Sequence, residues 1–172
     1  RYVSLPESLK EFGRYGAVFV DCPELVRVDV DKDNEYYYSN GQVLVEKRTK
    51  TIIDGWGTEI CNAADFPKEL LPTRIGDNAF RKHSLLRYVI LPATIESVGD
   101  GAFSGCKSLR QLNCHAVVPP VLGNDVFKLD EVNGIVLTPL QEQLNLLVPE
   151  ASVEAYKNAL GWKDFKAIID IR

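Results

Sequence analysis

Arg74-Ile-Gly-Asp-Asn-Ala-Phe80, followed by Leu86-Arg-Tyr-Val89, returns as Ser97-Val-Gly-Asp-Gly-Ala-Phe103 leading to Leu109-Arg-Gln-Leu112. Gly76 and Gly99, Phe80 and Phe103, and Leu86 and Leu109 are each 23 residues apart, so the similarity is a structural period. Working outward, Leu91-Pro92-Ala-Thr-Ile95-Glu-Ser-Val98 joins the two units. Leu5-Pro6-Glu-Ser-Leu9-Lys-Glu-Phe12 has the same residue classes at the same spacing. Cys22-Pro-Glu-Leu25 answers Cys106-Lys-Ser-Leu109, which aligns Leu25-x-x-Val28-x-Val30, Leu86-x-x-Val89-x-Leu91 and Leu109-x-x-Leu112-x-Cys114 as three strands. A weaker copy joins Leu122-Gly-Asn-Asp-Val-Phe127 to Leu146-Leu-Val-Pro149. About four repeats result, two of them regular.

A period of roughly 20 to 29 residues with an L-x-x-L-x-L core predicts an α/β leucine-rich-repeat solenoid of short parallel strands and helical turns. The leucines of each short strand point inward, the intervening positions face solvent, and Ala79-Phe80 and Ala102-Phe103 fill the coil. Gly76 and Gly99 are read as tight bends, and Pro92 as a strand end that asks for no ladder bond.

Two segments break the period. Tyr36-Tyr-Tyr38, Asn40-Gly41 and Val43-Leu-Val45 predict a β-hairpin inserted near residues 31–54, with a type I′ turn at Asn40-Gly41. The second, Lys128 to Gln143, reads as an elongated loop or irregular strand pair. Val153, Tyr156 and Leu160 form one apolar helical stripe, with Gly161 suited to end the helix. The expected organisation is therefore a repeat region over 1–148 and a C-terminal cap over 149–172, whose helix, Trp162 and Phe165 cover the last repeat.

Composition narrows the function. The chain has 172 residues, 45% hydrophobic and 26% charged, with net charge −4, so no broad positive field exists to attract nucleic acid. No apolar run reaches the roughly 18 residues of a transmembrane helix. The chain begins at Arg1, has no methionine and no charged-then-apolar leader, and Tyr2-Val-Ser-Leu-Pro6 matches mid-strand Tyr88-Val-Ile-Leu-Pro92, so preceding repeats or a further domain are expected.

Chemistry finds little support in the sequence. Cys22, Cys61, Cys106 and Cys114 contain no C-x-x-C pair and are read as buried free thiols, with a disulfide as the alternative. Asp29, Asp31 and Asp33 alternate like the start of a calcium loop, but Asn34 and Asn40 stand where glycine and glutamate are required, so a solvated turn is expected and no metal. Cys114–His115 and Cys106–His83 are the candidate nucleophile pairs; adjacent strand residues point to opposite faces, and a cysteine at a buried repeat position is inert. No catalytic residue and no cofactor are expected.

Residues shared by the copies are thus core and turn, which leaves the varying strand positions. Arg27 and Asp29 beside Val26, then Arg87, Tyr88 and Ile90, then Arg110, Gln111 and Asn113 are expected to line one face in adjacent rows, with Leu144, Asn145 and Leu147 as a fourth. Arg87 and Arg110 share a repeat position and should stand about 5 Å apart. Arginines beside a tyrosine have the composition of a binding hot spot; a solvated scaffold face is the alternative.

The Gly-Asp-x-Ala-Phe block, the Leu-Pro step, the Cys-x-x-Leu strand start, the Asp33-Asn-Glu-Tyr-Tyr…Asn40-Gly-Gln-Val-Leu insertion and the closing Leu147-Val-Pro-Glu-Ala-Ser-Val-Glu-Ala-Tyr156…Gly161-Trp-Lys-Asp-Phe165 together resemble BspA-like leucine-rich-repeat proteins. That resemblance implies a right-handed solenoid on a bacterial cell surface or secreted, used for adhesion to, or binding of, an extracellular protein or glycan. It carries no catalytic residues. A structural spacer with no ligand of its own is the alternative function. His83 replaces the cysteine position, and the unit before Gly76 has two extra residues.

Overall fold

The computed structural model describes residues 1–12, 18–20, 22, 24–57, 59–60, 63–129 and 139–171. The 23-residue period becomes two ladders rather than one. The first is a five-stranded, all-parallel sheet in which Glu59–Ile60 (β6), Tyr88–Leu91 (β8), Gln111–Cys114 (β10), Asn145–Val148 (β12) and Ala167–Asp170 (β13) lie side by side. The second contains the short parallel strands Arg74–Ile75 (β7), Ser97–Val98 (β9) and Val121–Leu122 (β11), which the repeat pattern alone does not predict. They pair because the amides of Gly76, Gly99 and Gly123, just after each strand, donate to Ile52, Ile75 and Val98 carbonyls at 2.8 Å.

Between the ladders the chain returns through turns where helical turns were expected. Asn78, Gly101 and Asp125 occupy one repeat position, and all three have positive φ (57°, 62° and 53°), which interrupts helical continuation. Their neighbours' amides then bond across repeats: Phe80 donates to Ala102 and Phe103 to Val126 at 2.8 and 2.9 Å. This cross-repeat bonding satisfies polar backbone that would otherwise be buried without partners. Among the described residues the α-helix Val153–Asn158 (α1) is accompanied only by short 3₁₀ turns.

Inside, Phe80, Phe103 and Phe127 stack in a column with ring centroids 5.2 and 5.7 Å apart and planes within 7° and 6°. All three rings are at most 2% exposed, and the inward residues of both ladders join the same core. The weak copy recognised at residues 122–127 is therefore a full member of the column. Trp162 and Phe165 close its end against Phe127, at 6.3 and 5.1 Å, and the Trp162 indole donates to the Pro120 carbonyl at 2.7 Å.

The helix of the cap is shorter than its stripe predicts. It ends at Asn158, Ala159 is extended, and Leu160 is 85% exposed although it was expected in the apolar stripe. The positive φ of Gly161 turns the chain so that Trp162 is buried. Burying the indole outweighs burying one leucine, because the aromatic side chain removes more apolar area from water.

The insertion is larger than a hairpin. Tyr37–Ser39 (β3), Val43–Glu46 (β4) and Thr51–Gly55 (β5) form an antiparallel meander, and β5 continues the second ladder by pairing in parallel with β7. Gly41 has φ 95° whereas Asn40 is not at positive φ, so the type I′ turn is not made. Asn40 Oδ1 instead accepts from the amides of Gln42 and Val43 at 2.9 and 3.0 Å, a wider side-chain-bonded turn. Val43, Leu44 and Val45 are all fully buried because β4 is a wall between two cores. Val43 and Val45 face the main one; Leu44 faces a second with Leu5, Val28, Tyr37 and Trp56.

That second core holds the first two strands apart from the rest. Tyr2–Leu5 (β1) and Arg27–Val30 (β2) pair in parallel as a separate ribbon rather than as further rows of the five-stranded sheet. Asn34, 1% exposed, ties the ribbon to the meander: its Nδ2 donates to the Pro6, Glu7 and Leu9 carbonyls and its Oδ1 accepts from Tyr36 and Tyr37 amides. Of the segment Lys128 to Gln143, residues 130–138 lie outside the described residues, and Leu140–Gln143 is a 3₁₀ turn.

Asp54 is 1% exposed and accepts from the amides of Phe19 and Gly55 at 3.1 and 2.8 Å, beside the edge-on contact of Phe19 with Trp56. Burial pushes its carboxyl up to about 6 against the opposing pull of these amides.

Two measurements test this account. Phe103→Ala, which opens the middle of the column, should cost about 3 to 5 kcal/mol in denaturant unfolding; a loss below about 1 kcal/mol would show that the column is not continuous. A carboxyl raised by folding contributes stability that is present below its unfolded pKa and lost as pH rises through its folded one. Asp54→Asn should therefore gain on the parent by up to about 3 kcal/mol between pH ~4 and ~7, and a pH-independent difference would contradict the raised carboxyl.

Candidate binding face

Register defines the outward face of the five-stranded sheet. Tyr88, Gln111, Asn145 and Ala167 lie in one row, and Ile90, Asn113, Leu147 and Ile169 in another. The rows between them, Val89–Leu112–Leu146 and Leu91–Cys114–Val148, are buried. This alternation follows from the strand period of two: every second side chain joins the core and leaves its neighbour outside. Tyr88 and Ile169 are each 44% exposed, while Ile90 and Leu147 are half-buried.

Arg87 and Arg110 precede these strands and are exposed. The Arg110 amide donates to the Arg87 carbonyl at 2.9 Å, so the two residues are neighbours across the ladder, as their shared repeat position requires. Arg110 Nη1 donates to the Lys107 and Leu109 carbonyls at 3.0 Å each, which folds its guanidinium back on the leading end of its own strand. Gln111 Nε2 donates to Asn113 Oδ1 at 2.8 Å, a bond along the strand between two outward residues.

Arg27 and Asp29 do not join this face. They belong to the β1–β2 ribbon, where Arg27 Nε meets Asp29 Oδ1 at 2.6 Å and the Arg27 side chain lies 3.5 Å from where a Cβ on Gly41 would stand. The inserted meander and β6 separate these residues from Tyr88, which is why three equivalent repeat positions do not make three adjacent rows. Leu144, read as outward, is buried, so the fourth row consists of Asn145 and Leu147. Ala167 and Ile169 form a fifth row that the repeat register could not reveal, because residues 167–170 carry no L-x-x-L-x-L pattern.

The cysteines divide. Cys106 is fully buried with Sγ 2.9 Å from the Phe80 carbonyl, and burial pushes its thiol up to about 12. Cys114 is also buried and raised by burial, and accepts from the Tyr156 hydroxyl at 3.1 Å. Neither is a thiolate at neutral pH, which disarms both candidate nucleophile pairs. Cys22 is exposed, although it was expected to be buried like Cys106 at the same repeat position; the second core is filled by Phe12, Phe19 and Leu25 instead. Cys61 lies outside the described residues.

Residues 62–139 match the family described as BspA type leucine rich repeat region, a unit of six copies, and this stretch of the chain belongs to it. No curated protein matches the chain. Among solved structures it is similar to a leucine-rich repeat protein from Eubacterium ventriosum, at 16% identity and TM-score 0.47, over 98% of this chain and 48% of that one. It is also similar to the pneumococcal vaccine antigen PcpA, at 17% and 0.44 over 99% and 56%. A leucine rich cell surface protein from Faecalibacterium prausnitzii matches at 18% and 0.47 over 99% and 48%. The chain thus spans about half the length of each. Among the described residues no helix is long and apolar enough to cross a membrane.

A thiol titration separates the cysteines. Read by peptide mass, Cys22 should be labelled by a disulfide reagent in the folded protein, while Cys106 and Cys114 are labelled only after denaturation. Native-state labelling of Cys106, read by peptide mass, would contradict its burial.

Proposed function

We propose that this chain is a non-catalytic repeat domain of a bacterial cell-surface or secreted protein, coiled as a right-handed solenoid over residues 1–148 and sealed by a cap over 149–172. Its role is to bind an extracellular protein or glycan through the outward face of the five-stranded sheet. One observation supports the reading: most residues common to the repeats fill the column or build the turns, whereas Tyr88, Ile90, Gln111 and Asn113, which differ between repeats, stand outside with the paired Arg87 and Arg110 at the leading ends of their strands. A parallel sheet that exposes a tyrosine beside arginines offers two of the side-chain types enriched in binding hot spots.

The alternative is a spacer that holds another domain away from the cell. The experiment presents the parent and the Arg87→Ala/Arg110→Ala double variant to an array of extracellular proteins and glycans, with thermal unfolding as a control. The double variant should lose about 10-fold or more in affinity while unfolding as the parent does. Undiminished binding by the variant excludes this face. Failure of the parent to bind any member, in an array that recovers a known repeat adhesin's ligand, favours the spacer.

A further inference from the structure

The distribution of charge and apolar surface on this face narrows the chemistry of its partner. Register places Lys166 immediately before β13 at the position that Arg87 and Arg110 hold before β8 and β10, with buried Leu144 between them before β12. All three cations are exposed, and among the described residues none is paired with a carboxylate. The second ladder has the opposite character: the groove along it, about 470 Å³, carries Glu46, Asp77 and Asp100 with Arg74 as its one cation.

Beyond the cationic row, across the row of Tyr88, Gln111, Asn145 and Ala167, lies an apolar one. Ile90, Leu147 and Ile169 flank Asn113, whose side-chain oxygen is already engaged by Gln111. The two rows are three residues apart along each strand, roughly 10 Å. A sulfated or uronic glycan would use the cations and leave the apolar row without a partner. An extended polypeptide uses both, because its side chains alternate between its two sides. Four neighbouring strands span roughly 14 Å from Arg87 to Lys166, and residues i, i+2 and i+4 of an extended chain span roughly 13 Å.

Resting on the binding role above, we propose that the partner is an acidic, extended polypeptide segment lying across the strands, with alternate carboxylates against Arg87, Arg110 and Lys166 and the intervening apolar side chains over Ile90, Leu147 and Ile169. Affinity in such a complex falls with salt, since exposed pairs are screened within about 10 Å at moderate ionic strength.

The test uses fluorescence anisotropy with three labelled probes: an alternating Glu-Leu peptide, its Gln-Leu counterpart, and heparin. The Glu-Leu peptide should bind at least about 10-fold more tightly than either of the others. Arg87→Ala with Lys166→Ala should weaken it about 10-fold and flatten its salt dependence, and Leu147→Asn with Ile169→Asn should weaken it comparably while leaving the salt dependence intact. Circular dichroism reports folding of each variant; if the apolar pair does not fold, Ile169→Thr alone, at the exposed edge strand, replaces it. Tighter heparin binding that ignores Leu147 and Ile169 would overturn the peptide assignment in favour of an acidic glycan. If the Glu-Leu peptide fails to bind while an array-captured partner still requires Arg87 and Arg110, the acidic-peptide assignment falls and the binding face stands. If nothing binds through these residues, both fall.

Discussion

The stack of Phe80, Phe103 and Phe127 is the constraint on which the remaining structure depends. Rings 5.2 and 5.7 Å apart and nearly parallel require successive repeats to advance by about one strand spacing. That is the same step at which backbone amides of one repeat reach carbonyls of the next. The column and the two ladders are therefore one geometric condition met by different groups. The connection between repeats can grow by one residue, as between Phe103 and Phe127, provided the ring still lands on its neighbour.

The glycine-aspartate step shows why the repeated residues are repeated. Asp77 Oδ1 accepts from the Asp100 amide at 2.9 Å, and Asp100 Oδ1 accepts from the Asn124 amide at 2.7 Å. A Cβ on Gly99 would stand 2.3 Å from Asp77 Oδ1, and one on Gly123 would stand 2.3 Å from Asp100 Oδ1. Each glycine is thus needed by the carboxylate of the repeat before it. Identity between copies records contacts between neighbours, and it explains the glycine floor of the second ladder's groove without any ligand.

These contacts also explain what could be read from sequence. The inward leucines, the Ala-Phe pairs and the aromatic cap are legible because burial imposes a local spacing on the chain. The short strands of β7, β9 and β11 are not, since two-residue strands have no periodicity and exist through their neighbours. Nor is the separation of β1 and β2 from the main sheet: Arg27 and Gln111 occupy equivalent sequence positions, but the meander with its own core at Trp56 and Leu44 lies between the first repeat and the rest. Cys22 escapes burial for the same reason, while Leu160 leaves the stripe because Trp162 takes the position against the column.

The cap links this architecture to the face. Closing the column requires Trp162 and Phe165 to reach Phe127, and the chain that emerges from them is positioned to pair along β12. The resulting strand continues both outward rows by one residue each, Ala167 beside Asn145 and Ile169 beside Leu147, and places Lys166 level with the arginines. Sealing a repeat array needs only apolar cover; extending its sheet in register adds a side chain to both outward rows. Residues without any repeat signature can therefore belong to the face as fully as those within the repeats, and the outward surface of the sheet is set by the ladder's register rather than by the motif that built the ladder.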